Sequence, residues 1–82
     1  MDNEFNTIVE EVRKVIDQED FTRKETWELV LDLMTSLDPW IIGEKQITVG
    51  DALSYVEIGC EIAIKACEVY GSSATISKDL LQ

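Results

Sequence analysis

Residues 49–70 read VGDALSYVEIGCEIAIKACEVY, from Val49 to Tyr70. Its polar stripe is Asp51, Ser54, Glu57, Glu61, Lys65 and Glu68, whose spacings of three and four put all six on one face of a helix. The opposite face is Ala52, Val56, Gly59, Ala63, Ala66 and Tyr70. Leu53, Cys60, Ile64 and Cys67 flank it on one side, and Tyr55 and Ile62 on the other. The apolar part covers about half the circumference, whereas a helix lying on a small protein usually shows a stripe of roughly 100°. Thr48-Val49-Gly50-Asp51 supplies a capping box with Asp in place of Glu or Gln, and Gly71 is a natural terminator. The centre of the broad face is mostly small, which lets helix axes approach closely. The expectation is a small all-α three-helix bundle with this third helix in the middle.

Working toward the N-terminus, a first helix over about 4–18 is marked by Phe5, Ile8, Val9, Val12, Val15 and Ile16. At about 100° per residue they fall within an arc of roughly 120°, with Glu10 placed to pair with Lys14 and Asp2 or Asn3 placed to cap the start. Gln18-Glu19-Asp20 breaks the pattern. Thr22-Arg23-Lys24-Glu25 then fits a capping box, with Phe21 ahead of it to pack on Thr26 or Trp27. A second helix over about 23–37 follows, turning Trp27, Val30, Leu31, Met34 and Leu37 inward, while Leu29 and Leu33 widen its apolar face. Asp38-Pro39 ends it, because a residue before proline avoids the helical region. The connection to Ile47 is apolar for a loop. Trp40, Ile41, Ile42 and Ile47 either close the end of the bundle or form a sticky surface.

The tail, 71–82, carries Ile76, Leu80 and Leu81, which can fold back, and Ser77-Lys78-Asp79-Leu80-Leu81 can start a short fourth helix. The second and third helices both offer wide apolar faces against the narrow stripe of the first. A three-helix monomer can just absorb that surplus if the tail folds back, and a homodimer absorbs it more easily. Pairing two copies across a two-fold axis would absorb the surplus, through Leu29, Leu33, Val56, Gly59, Ala63 and Ala66.

The chain has 82 residues, enough for one domain and one core. Its 45% apolar content is that of a globular protein rather than a disordered one. Asp2 and Glu4 stand where a secretory signal needs basic residues, and the longest charge-free stretch, Val69 to Ser77, is too short and polar to cross a bilayer. The expectation is a soluble cytoplasmic protein. Seventeen acids against seven bases give a charge of −10 and a pI near 4.1. Nucleic acid and anionic membranes both require clustered Lys or Arg, and no basic run exceeds two residues, as in Arg23-Lys24. Direct binding to either is therefore not expected. The acidity serves solubility, or presents a negative surface to a basic partner, or imitates the phosphate charge of DNA, and its field would steer such a partner in.

Catalytic signals are lacking. The chain has no histidine, which removes the commonest general base and metal ligand and rules out Cys-His or Ser-His-Asp sites within it. Cys60 and Cys67 stand two helical turns apart, about 10.5 Å between Cα atoms, which is beyond disulfide reach within one helix. They read as small buried hydrophobes. Glu57, Glu61 and Glu68 lie on the polar face without the Glu-x-x-His partners of carboxylate metal sites, and Glu61 precedes Lys65 in the order of an ordinary ion pair. The four glycines are isolated, so no phosphate loop exists. No cofactor or metal is expected, and no enzyme activity.

The first expectation is a non-catalytic interaction module of inhibitor, immunity or regulator type. It would present Glu10, Glu11, Asp17, Glu57, Glu61 and Glu68 to a basic protein, with Trp40 and Ile41 as apolar anchors. The alternative is an assembly subunit that self-associates through its second and third helices.

Overall fold

The computed structural model describes residues 3–73. It consists of α1 (Asn3–Gln18), α2 (Lys24–Ser36), a single turn α3 (Asp38–Ile41) and α4 (Val49–Tyr70), with no strand among the described residues. The short C-terminal helix and the folding back of Ile76, Leu80 and Leu81 lie outside the described residues, as does Asp2. α1 already includes Asn3, so Asn3 is not its flanking cap residue. Each helix has an acid in its first turn, Glu4, Glu25, Asp38 and Asp51, where the positive end of the helix dipole favours it.

α1, not the helix at 49–70, is the central element: both α2 and α4 pack against it. Phe5, Val9, Val12, Val15 and Ile16 of α1 are all buried and meet Trp27, Val30 and Leu37 from the α2 side and Ile58 from α4 in one core. The expected central position of α4 is thus corrected, and apolar area explains why. α4 turns Tyr55, Ile58, Ile62, Ala66 and Val69 toward the core. That side carries two isoleucines, a valine and a tyrosine, and so removes more apolar surface from water than Ala52, Gly59 and Ala63 could. The molecule measures 37 × 23 × 18 Å. A cross-section of that size holds barely two helix diameters of 10–12 Å each way, so among the described residues no further layer covers the outside of α4.

The α1–α2 turn departs from the expected capping box. The Thr22 hydroxyl donates to Asp20 Oδ1 at 2.7 Å, and the Thr22 backbone N–H donates to the same oxygen at 2.9 Å. That hydroxyl is engaged by a carboxylate, and α2 begins one residue later, after Arg23, with no side-chain cap. The turn is tied instead by Thr26 Oγ1 donating to the Asp20 carbonyl at 2.7 Å and by Trp27 Nε1 donating to the Phe21 carbonyl at 2.9 Å. Phe21 packs edge-on against Trp27, as its position before the helix predicts, with ring centroids 5.0 Å apart. Leu31, expected inside, is 38% exposed.

α2 ends at Ser36, and the segment read as a loop makes one more helical turn. Pro39 sits in the first turn of α3, where its missing N–H leaves no helical bond unmade. The Ile42 N–H donates to the Asp38 carbonyl at 2.9 Å, and the Lys45 N–H donates to that of Pro39 at 2.9 Å. This turn swings Trp40 inward. α4 then starts and stops where its signals place it. The Asp51 N–H donates to Thr48 Oγ1 at 3.0 Å, the Thr48 N–H donates to Asp51 Oδ2 at 3.5 Å, and Gly71 ends the helix with φ 86°. Tyr70 OH donates to the Phe21 carbonyl at 3.4 Å, which sets the C-terminal end of α4 beside that of α1, so the two run parallel.

Candidate interaction surface

Three of the acids singled out as partner-binding meet on one seam. Arg13, half-buried on α1, reaches Glu57 at 3.6 Å and Glu61 at 3.9 Å on α4, and Glu10 at 3.9 Å on its own helix. One guanidinium therefore serves three carboxylates, which leaves this row net negative. Solvent-exposed pairs of this kind contribute about 0–1 kcal/mol each, so the row shapes the surface field more than it holds the fold. Glu11 pairs with Lys14 at 3.4 Å. The expected Glu10–Lys14 and Glu61–Lys65 pairs are replaced by these contacts, because Arg13 lies between the two helices and draws both glutamates. Asp17 and Glu68 are exposed, with no cation within 4.0 Å among the described residues. The composition hides the role of Arg13. Its signal in the sequence is a single arginine next to the buried Val12 position.

Beyond the seam, the outer side of α4 is apolar and open. Val49, Leu53, Val56 and Ile64 are 89%, 58%, 57% and 57% exposed, and Cys60, Ala63 and Cys67 are exposed among them. The two thiols are free. Their expected burial is corrected, since they fall on the side of α4 away from α1. The self-association set is divided likewise. Leu29, Val56 and Ala63 are exposed, Gly59 is half-buried with open space where a Cβ would stand, and Leu33 and Ala66 pack against the core. The charge-free spacing from Val49 through Leu53, Val56, Cys60, Ala63, Ile64 and Cys67 is the sequence signal for this stripe.

The aromatic anchor expected at Trp40 is not available. Trp40 is 4% exposed, stacks edge-on against Phe5 with centroids 5.6 Å apart, and is roofed by Lys45, whose Nζ lies 4.5 Å from the ring centre. A large aromatic next to the start of α1 buries more area inward than it could offer outward. Ile41 and Ile42 remain 39% and 68% exposed beside it. They belong to the end of the molecule near Phe5, eight residues before Arg13 and so about 12 Å along α1 from the acidic row.

Asp20 has a displaced titration: the Thr22 hydroxyl and then the Thr22 N–H, both donating to it, hold its carboxyl below the ordinary value of 3.8. It stands in an exposed turn, where these bonds serve the turn itself. Among the described residues, no group of three or more His, Cys, Asp or Glu is gathered as metal ligands, and no helix is long and apolar enough to cross a membrane. A hollow lined by Asn6, Thr7, Glu10, Glu11 and Lys14 runs openly along one helix and has no second wall. No family model matches the chain, and neither a curated protein nor a solved structure matches it.

Proposed function

We propose that this protein is a non-catalytic interaction module that docks on a basic protein surface and acts by covering it. The observation that carries this reading is the adjacency, on α4, of an uncovered apolar stripe and an acidic row. Leu53, Val56 and Ile64 stand more than half exposed, and Glu57, Glu61 and Glu68 run along the same helix. An interface needs an apolar centre for affinity and charge at its rim for steering, and the two lie side by side here. The net charge of −10 selects a positive partner.

The second reading, an assembly subunit, draws on the exposure of Leu29, Val56 and Ala63. It is the weaker of the two because two copies bring equal negative fields together. Native mass by light scattering, at low and high salt and in reductant, separates them. A monomer at both salts is the expected result. A dimer whose affinity ignores salt would shift the function to assembly. With a partner in hand, Glu57→Gln with Glu61→Gln is expected to slow association at low salt, and an unchanged rate would remove steering from the mechanism.

A further inference from the structure

The outer stripe of α4 borders the acidic row and has chemistry of its own. From Val49 to Cys67 its seven uncharged residues advance by steps of four, three, four, three, one and three, which keeps them on one face over about 27 Å of helix. Four of them are large and 57–89% exposed. Together the seven expose on the order of 500 Å² of apolar surface, at the upper end of what a monomer usually shows and near one partner's share of a modest interface. Cys60 and Ala63 form its low middle, with Leu53 and Val56 before them and Ile64 just after. At 100° per residue, Glu57 and Glu68 follow Ile64 within about 40° around the helix. One long edge of the stripe is therefore acidic. The other edge leads through Gly59 and Tyr70 toward α2, where Tyr70 leans on Trp27 with ring centroids 5.9 Å apart.

We infer that this stripe receives one amphipathic α-helix of a partner protein, apolar along one face and lysine- or arginine-rich along the edge that meets Glu57 and Glu68. The inference rests on the interaction-module reading above and names the chemistry of the partner. A straight apolar ridge this long matches a helix laid along it, which presents its own row at i, i+3, i+4 and i+7. Charge complementarity selects a basic helix over a second copy. Two chains paired antiparallel about a two-fold axis set like edges together, so the acidic edge bearing Glu57 and Glu68 would lie along the same edge of the other copy, with −10 on each molecule. A basic helix turns that edge from a cost into a contact.

The test uses the full reduced chain and two synthetic peptides of about 18 residues, the length that spans the stripe. One places leucine at helical spacing with lysine elsewhere, and the other replaces every lysine by glutamate. Binding is read by fluorescence anisotropy at low salt. Occupancy of the stripe is read by the rate at which Cys60 and Cys67 are alkylated, resolved by mass spectrometry. The lysine peptide is expected to bind and to slow alkylation of both thiols by about tenfold or more when saturating, and the glutamate peptide to do neither. Val56→Ser with Ile64→Ser removes apolar contact without changing charge, and is expected to weaken binding by about tenfold or more. Glu57→Gln with Glu68→Gln is expected to weaken it severalfold. All four positions are exposed, and circular dichroism checks that each variant keeps its helices.

If the lysine peptide binds but the serine variant and the thiols are indifferent to it, the docking site lies elsewhere on the acidic surface. That outcome overturns this inference and leaves the module reading standing. If neither peptide binds, both fall. Equal binding of the two peptides overturns the charge selection. A dimer that the serine variant dissolves makes a second copy the occupant and overturns the basic helix. If replacing Ile76, Leu80 and Leu81 by serine strengthens peptide binding by about tenfold, the stripe is occupied by the chain itself, and the inference fails in the same way.

Discussion

Replacing Ile58 by alanine tests which face of α4 is inside. Ile58 is the one fully buried side chain of this helix, at 0% exposure, while Val56, two residues earlier and about 160° around the helix, is 57% exposed. The substitution deletes about three carbon groups, each contributing about 0.8 kcal/mol when buried, and leaves a cavity that α1 can only partly fill. A loss of about 3 kcal/mol is expected, against a total stability of about 4–12 kcal/mol for a chain of this length. With a urea dependence of about 1 kcal/mol per molar, the midpoint falls by about 3 M. Val56→Ala removes a side chain that is mostly wet in both states and adds a better helix former, so it is expected to lie within about 0.5 kcal/mol of the parent. Trp27 and Trp40, both buried, report tertiary unfolding by emission while far-ultraviolet dichroism reports the helices. Dilute protein keeps any association out of the comparison. If Val56→Ala costs as much as Ile58→Ala, α4 is rolled by almost half a turn from the position described, and the exposed stripe does not exist.

Gly59→Ala is expected to raise stability by about 0.8–1.0 kcal/mol, because a Cβ there meets nothing within 4 Å and glycine is a poor residue inside a helix; a thermal melt reads the gain. Thr48→Ala removes the hydroxyl that accepts from the Asp51 N–H and is expected to cost about 1 kcal/mol, seen as a lower urea midpoint. Thr22→Ala is expected to move the Asp20 titration up toward 3.8, followed by side-chain NMR, since the hydroxyl is the largest influence lowering it. The folded-state value lies below the unfolded one, so this carboxylate favours the fold above pH 3.8 and loses that effect as pH falls through its folded value. Thr22→Ala should accordingly flatten the stability profile only in that acidic window.

What the sequence made legible were the features that local signals decide. The ends of α4 follow from Thr48, Asp51 and Gly71, and the buried row of α1 follows from its spacing. The features it hid were contests between two local options. Thr22 could cap α2 or bind Asp20, and two bonds to one carboxylate outweighed a single cap bond. Pro39 could end a helix or begin another, and by beginning one it drew Trp40 into the core. α4 had two apolar sides, and Ile58 appears in neither row that spacing alone picks out. Only its fit against α1 shows that the side with the bulkier residues is the buried one. The acids of the candidate surface were legible as types. Their gathering was not, because Arg13 joins residues more than 40 positions apart.

Among the described residues, five of the eleven buried apolar side chains sit on α1 and only one sits on α4, although α4 is the longest helix there. α1 thus supplies most of the core, and α4 is a long rod fastened to it along one margin. Opening free energies within one protein follow such differences in buried contact. The amide protons of α4 are therefore expected to exchange through a partial opening in which α1 and α2 stay packed, at a free energy below that of global unfolding, as native-state hydrogen exchange would read. The element proposed to offer its outer face to a partner is also the one expected to lift away first, so such a partner would act on the part of the chain whose detachment leaves the rest intact.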